Sequence, residues 1–327
     1  MRFDLTGEQR DFAGTLDKML GAAGSTAVAR AWADGDTAPG LDLWHRCADD
    51  AVHALLAPEE NGGIGASTVD GVIAFEALGR HVVPGPWVES VAFLPRALGD
   101  DPLVGRLAEG AIGTVAVPPH TPRALDTEVA EHILLVDGST LAPAEAGTVH
   151  TSVDPTRRLA DLTPAGPAIE LDPAQVALAL DTAVVACSAQ LVGLAGSMLD
   201  TTVAYAGQRR QFGREIGSYQ AVKHALADVR IAVDFARPLV YGAALSIDSG
   251  TDETIRRRDA SAAKILSARA ADLAARTALQ VHGAIGYTRE LDLSLAITRT
   301  RALLAAWGTS DLHRSRVHDA LLEGNTA

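Results

Sequence analysis

From Ala174 to Leu199 the chain is apolar almost throughout, and no other stretch constrains its fold so tightly. Asp181 and Gln190 interrupt the run, and Ala, Gly and Ser predominate in it over Leu and Phe. A helix apolar all round belongs in a membrane or at the centre of a large helical assembly. A charge near the middle of a spanning helix is costly, so Asp181 favours the second. The segment reads as the central helix of a soluble protein, with no membrane as partner.

The 327 residues are enough for two or three packed layers or domains with a substantial core. Hydrophobic residues make up 47% of the chain and aromatics only 4%, so that core is mostly Ala, Val and Leu. Ala and Leu are strong helix formers. A net charge of −13 argues against nucleic acid and anionic membrane surfaces as partners. Cys47 and Cys187 lie far apart and form no CxxC pair, as expected of free thiols in a reducing cytoplasm. The first residues have no apolar run of the secretory kind. The histidines show no metal-ligand spacing, so no metal site is expected.

Three zones follow one another. Residues 1–100 read as helices joined by Gly/Pro turns. Thr6 with Gln9, and Ser67 with Asp70, look like helix starts in which a hydroxyl and a side chain three residues later satisfy each other's backbone. Leu55 to Gly65 between them is a breaker-rich loop. Over residues 101–172 the helical period disappears, and short β-leaning runs appear at 113–117, 132–136 and 168–171. Asp137-Gly138 is a hairpin-turn candidate. Residues 173–327 are helical again, with Ser218 as the expected cap of a helix over 219–250 and a last helix after Thr309. The helix–β–helix order predicts an α+β fold: an N-terminal helical domain, a small middle β domain and a C-terminal four-helix bundle.

Two segments of the last zone carry ligand chemistry. Arg209 in Arg209-Arg210-Gln211-Phe212-Gly213 offers planar paired donors suited to phosphate oxygens. Gln280 to Tyr287 combines an amide that donates and accepts with glycines at 283 and 286 that allow close backbone approach. Taken alone, each has an ordinary structural explanation. Arg209 fits a surface helix end with Phe212 in the core, and Gly283–Gly286 fits an interhelical turn. Arg210 and Arg214 read as solvated and His224 as partly buried, while His282 either touches a ligand or caps a helix.

In this order and separation the motifs resemble the acyl-CoA dehydrogenase family. The match includes Leu5-Thr6-x-Glu8-Gln9, Pro58-Glu59-Glu60-x-Gly62-Gly63 and Glu76-x-Leu78-Gly79-Arg80, then Arg-x-x-Phe-Gly at 209–213 and Gln-x-x-Gly-x-x-Gly-Tyr at 280–287. The resemblance implies FAD as cofactor. Arg209 would reach its pyrophosphate, Phe212 would pack nearby, and Gln280 and Gly283 would lie against the adenosine and diphosphate. It also implies α,β-dehydrogenation of an acyl-CoA substrate, which needs a carboxylate base.

That base is missing at both positions the family uses. The C-terminal one maps to Trp307 in Ala306-Trp307-Gly308-Thr309-Ser310, and the earlier one maps to Ala183. Neither side chain accepts a proton. Asp181 lies about 200° around a helix from Ala183, at about 100° per residue, and faces elsewhere. The family's Thr-Glu-Pro-x-x-Gly-Ser-Asp segment and its Trp-x-Thr/Ser segment are also unmatched, with Val115 to Pro122 standing near the first.

The resemblance is therefore closest to actinobacterial enzymes built as α2β2 from two unlike chains, several of which act on steroid side chains. A partner chain with the catalytic Glu would supply base and ring pocket. This chain would supply the ADP side, joined by Thr309 and Ser310, and an electron-transfer flavoprotein would take the electrons. Two alternatives stay open. One is a complete homomeric flavoenzyme using Asp311 or Glu290 as base. The other is a flavin-free structural partner that kept only the fold.

Overall fold

The computed structural model describes residues 4–288 and 291–324. Helix α1 (Gly7–Ala22) starts on a reciprocal box: Gln9 N donates to Thr6 Oγ1 and Thr6 N to Gln9 Oε1, each at 3.1 Å. After α2 (Ser25–Ala33) and α3 (Ala38–Asp49), helix α4 (Thr68–Arg80) starts on the Ser67/Asp70 box. A π-helical stretch, Val88–Phe93, runs into the short α5 (Leu94–Leu98).

Helix α6 (Pro102–Ala108) corrects the expectation that helical structure stops at Asp101: Asp101 Oδ1 accepts from Leu103 N at 2.8 Å and Pro102 opens the first turn. Proline there loses no hydrogen bond, because its missing N–H would have been unpaired anyway. One sheet follows, with strands β1 (Gly113–Ala116), β2 (Ala124–Leu125), β3 (His132–Asp137), β4 (Thr140–Thr151), β5 (Arg158–Pro164) and β6 (Ile169–Glu170). Its order is β1-β3-β4-β5-β2 with β6 on β4, and only the β1–β3 pair is parallel. Asp137 pairs with Thr140 across the two-residue turn Gly138-Ser139, where Gly138 has φ +63°.

The apolar run lies within α7 (Pro173–Gln208). Among the described residues α7 is the one helix long and apolar enough to cross a membrane, yet most of that stretch is buried beneath protein. It packs on α4, on α8 (Gln220–Asp248) and on α9 (Glu253–His282). The α4 crossing depends on two glycines. A Cβ at Gly79 would stand 2.2 Å from Gln190 O, and one at Gly193 would stand 2.0 Å from Glu76 O. The lone charge, Asp181, takes Arg256 at 2.9 Å and Arg316 at 2.6 Å, which keeps it paired where it is buried.

A small hairpin, β7 (Arg210–Gln211) with β8 (Arg214–Glu215), links α7 to α8. Ser218 does not cap α8: its hydroxyl donates to Glu215 O at 2.7 Å, and Tyr219 holds the cap position. The fourth row of the bundle is shared by α10 (Leu293–Leu303) and α11 (Ser310–Gly324), both packed on α9.

Candidate functional site

Helices α7 and α9 run parallel. Asp181 meets Arg256 near their starts, and the rings of Tyr205 and His282 stack at 4.2 Å near their ends. That stacking brings the two motif segments to one end of the bundle. His282 is buried, with Nδ1 2.8 Å from Ala278 O, so it forms part of the floor. Above it, Arg209, Gln280 and Gly283 are exposed, and Gly283 has φ +63°. Among the described residues neither the Arg209 guanidinium nor the Gln280 amide has a hydrogen-bond or ion-pair partner.

Phe212 overturns the reading that put it in the core. It is 92% exposed at the tip of the β7–β8 hairpin. Phe212 (φ +53°) and Gly213 (φ +82°) both sit left-handed, as a two-residue hairpin turn demands. The turn is braced by Arg214 stacked 3.9 Å over the Tyr219 ring, and Tyr219 Oη donates to Gln211 O. A phenyl ring held in water at a strained backbone position is the kind of outlier found at ligand clamps and contact sites. His224, expected to be partly buried, is exposed.

Thr309 and Ser310 stand elsewhere. Their turn meets α9 near Lys264, whose Nζ donates to Leu303 O at 2.8 Å and Ala306 O at 2.6 Å. At about 1.5 Å rise per residue, Lys264 and His282 lie about 27 Å apart along α9. The candidate residues thus form two groups: Arg209, Phe212, Gln280 and Gly283 at one end, and Thr309 and Ser310 with Trp307 far from it.

In the second group Thr309 is exposed and Ser310 half-buried, but the Trp307 position itself is closed. Trp307 is 1% exposed and packs on Phe93 at 5.3 Å between ring centres. Its carbonyl lies 3.0 Å from His313 Nε2, and Gly308 N donates to His120 O at 2.9 Å. His120 belongs to a tight loop closed by reciprocal bonds between Val117 and Thr121. The segment standing where the family's flavin-contacting stretch would be is therefore docked onto the Trp307 turn. Ala183 is fully buried in α7. Of the alternative bases, Asp311 is 90% exposed and pairs with Arg314 at 2.8 Å, and Glu290 lies outside the described residues.

Two charged residues here escaped the sequence reading. Glu89 is buried in the π-helical stretch. Burial pushes its carboxyl up, against the opposing pull of Arg157, its own backbone and the Trp307 indole. Lys264 is buried with no carboxylate partner among the described residues; it donates instead to Leu303 O at the end of α10 and to Ala306 O in the turn beyond, a favourable place for a cation. Each is a lone charge in an apolar run, Val88–Phe93 and Ala262–Leu266, and that was the available signal.

Comparison with known proteins gives consistent matches. Residues 6–96 match the profile "Acyl-CoA dehydrogenase, N-terminal domain" and residues 174–322 match "Acyl-CoA dehydrogenase, C-terminal domain". The chain is 34% identical over 293 residues to acyl-CoA dehydrogenase IpdE2 of Mycolicibacterium smegmatis, covering 87% of this chain and 89% of that protein. A solved variant of the steroid ACAD Tcur3481-Tcur3483 superposes with a TM-score of 0.86 at 22% identity, over 98% of this chain and 99% of the other. A chain of the ChsE4-ChsE5 complex from Mycobacterium tuberculosis superposes with a TM-score of 0.82 at 21% identity, over 99% of each. At these identities the structural matches speak to the fold alone.

Proposed function

The chain belongs to the acyl-CoA dehydrogenase family, and from that premise we propose that it is the half-site subunit of a heteromeric, FAD-dependent acyl-CoA dehydrogenase. The observation that carries this reading is the contrast between the two groups. The ADP-side residues are exposed with free donors, whereas the base position is filled by a buried indole.

The donor set fits a dinucleotide diphosphate. Arg209 brings a guanidinium charged at any working pH, and Gln280 brings an amide that reads hydroxyl or ring nitrogen. Gly283 leaves its backbone open, with no heavy atom within 4 Å of the space a Cβ would take. FAD, when bound, supplies the hydride acceptor of the dehydrogenation. Arg209 would hold the diphosphate, Phe212 would pack beside it and Gln280 would hold the adenosine end. No side chain at position 183 or 307 removes a proton, so the base comes from a related partner chain carrying the catalytic Glu. The reading extends to an α2β2 assembly acting on a steroid-type acyl-CoA, with an electron-transfer flavoprotein as acceptor; the steroid ACAD Tcur3481-Tcur3483 and the ChsE4-ChsE5 complex are two-chain precedents on the same fold.

The test is flavin absorbance of the chain purified alone and then co-expressed with a related chain that carries the Glu. FAD and acyl-CoA-dependent bleaching are expected only in the complex, with FAD retention falling at least tenfold for Arg209→Ala, about 1.4 kcal/mol. Stoichiometric FAD and bleaching in the lone chain would overturn the reading. An assembly that never holds FAD would instead identify a flavin-free structural partner.

A further inference from the structure

We propose that Cys187 and Lys264 form a covalent cross-link through a single bridging oxygen, joining α7 to α9 behind the Trp307 turn. Lys264 Nζ stands 3.4 Å from Cys187 Sγ, and neither residue is more than 1% exposed. The pair is held from several sides. Nζ donates to Leu303 O and Ala306 O, and Sγ lies 3.9 Å and 3.7 Å from the same two carbonyls. Sulfur and nitrogen are thus fixed at near-reactive separation before any oxidant arrives, which removes the entropic cost of bringing them together.

Two further features favour the step. Lys264 has no carboxylate partner among the described residues, and burial weakens its hold on its proton, so a neutral amine with a free electron pair is within reach. Burial also slows the approach of bulky thiols, while dioxygen, small and apolar, enters packed interiors without a channel. The oxidant is dioxygen. The thiol S–H and one amine N–H break, and S–O and O–N bonds form. Sulfur and nitrogen each give up two electrons, one oxygen atom stays in the bridge, and the other leaves as water with the two hydrogens. The product ties together positions 77 residues apart and fixes the carbonyl turn that presents Trp307.

Cys47 serves as an internal comparison. It is equally buried, its thiol is pushed up to about 12 by burial, and among the described residues no amine stands against it. The test is peptide mapping by mass spectrometry of the full-length protein, first fully reduced and then exposed to air-saturated buffer.

The expected result is a peptide pair joining Cys187 to Lys264, heavier by one oxygen and lighter by two hydrogens, undone by strong reductant and absent in Cys187→Ser. Cys47 stays unlinked. A parallel rise in the thermal midpoint, reversed on reduction and missing in Cys187→Ser, reports the bridge in intact protein. Cys187 recovered unmodified, or carried up the sulfur-acid ladder with Lys264 still free, would overturn the proposal. Cys187→Ser is nearly isosteric, so its failure to fold would not spare the proposal, because the wild-type map decides alone.

Discussion

At the scale of single residues, the costliest groups are acids with little company. Asp126 is fully buried at φ +51°, and its Oδ2 has no hydrogen-bond partner. Burial pushes its carboxyl up to about 7, despite the Arg158 N–H that it accepts and the nearby Arg157 and Arg299. The folded chain therefore keeps a proton that the unfolded chain has already released. Stability from this group is fully present below about pH 4 and declines by a few kcal/mol as pH rises to about 7. Asp126→Asn should flatten that decline, seen as urea midpoints that differ less between about pH 4 and about pH 8 than in wild type. Trp307→Ala should cost about 3–5 kcal/mol in the same assay, because it empties a close-packed site between Phe93 and Glu89. A cost below about 1 kcal/mol would mean that the indole does not fill the site.

At the scale of elements, what was legible in the sequence was what neighbouring residues decide among themselves. The Thr6/Gln9 and Ser67/Asp70 boxes, the Gly138 turn and the end of α9 at Gly283 depend on contacts a few residues long. Ser218 misled because its hydroxyl turns backward to Glu215 O, and α6 because seven residues are too few to show a helical period. Glu89 and Lys264 were marked locally only as lone charges in apolar runs, and the groups that surround them come from far along the chain. The β7–β8 hairpin lies between these cases. Its motif was readable, but the outward stance of Phe212 follows from the backbone of a two-residue turn. Phe212→Gly removes the strain at φ +53°, so the isolated chain should be unchanged or up to about 1 kcal/mol more stable. The same variant should bind its partner chain and FAD more weakly; unchanged FAD retention in the complex would remove Phe212 from the site.

For the whole molecule, the surface is as informative as the core. Ile231, Phe235 and Leu239 lie four residues apart along α8 and are 53%, 71% and 39% exposed, an apolar stripe that an isolated soluble protein would not need. The expectation for the assembled enzyme is that acyl-CoA titration bleaches half as many sites as there are chains, counted by absorbance against protein mass. Bleaching at every chain would place a working base in this subunit. The hairpin adds a constraint of another kind. Surface loops ordinarily absorb insertions with little effect. Here one added residue would change the turn type and swing the phenyl ring to a new bearing. This short connection behaves as a gauge of fixed length, open to changes of spelling but closed to changes of word count.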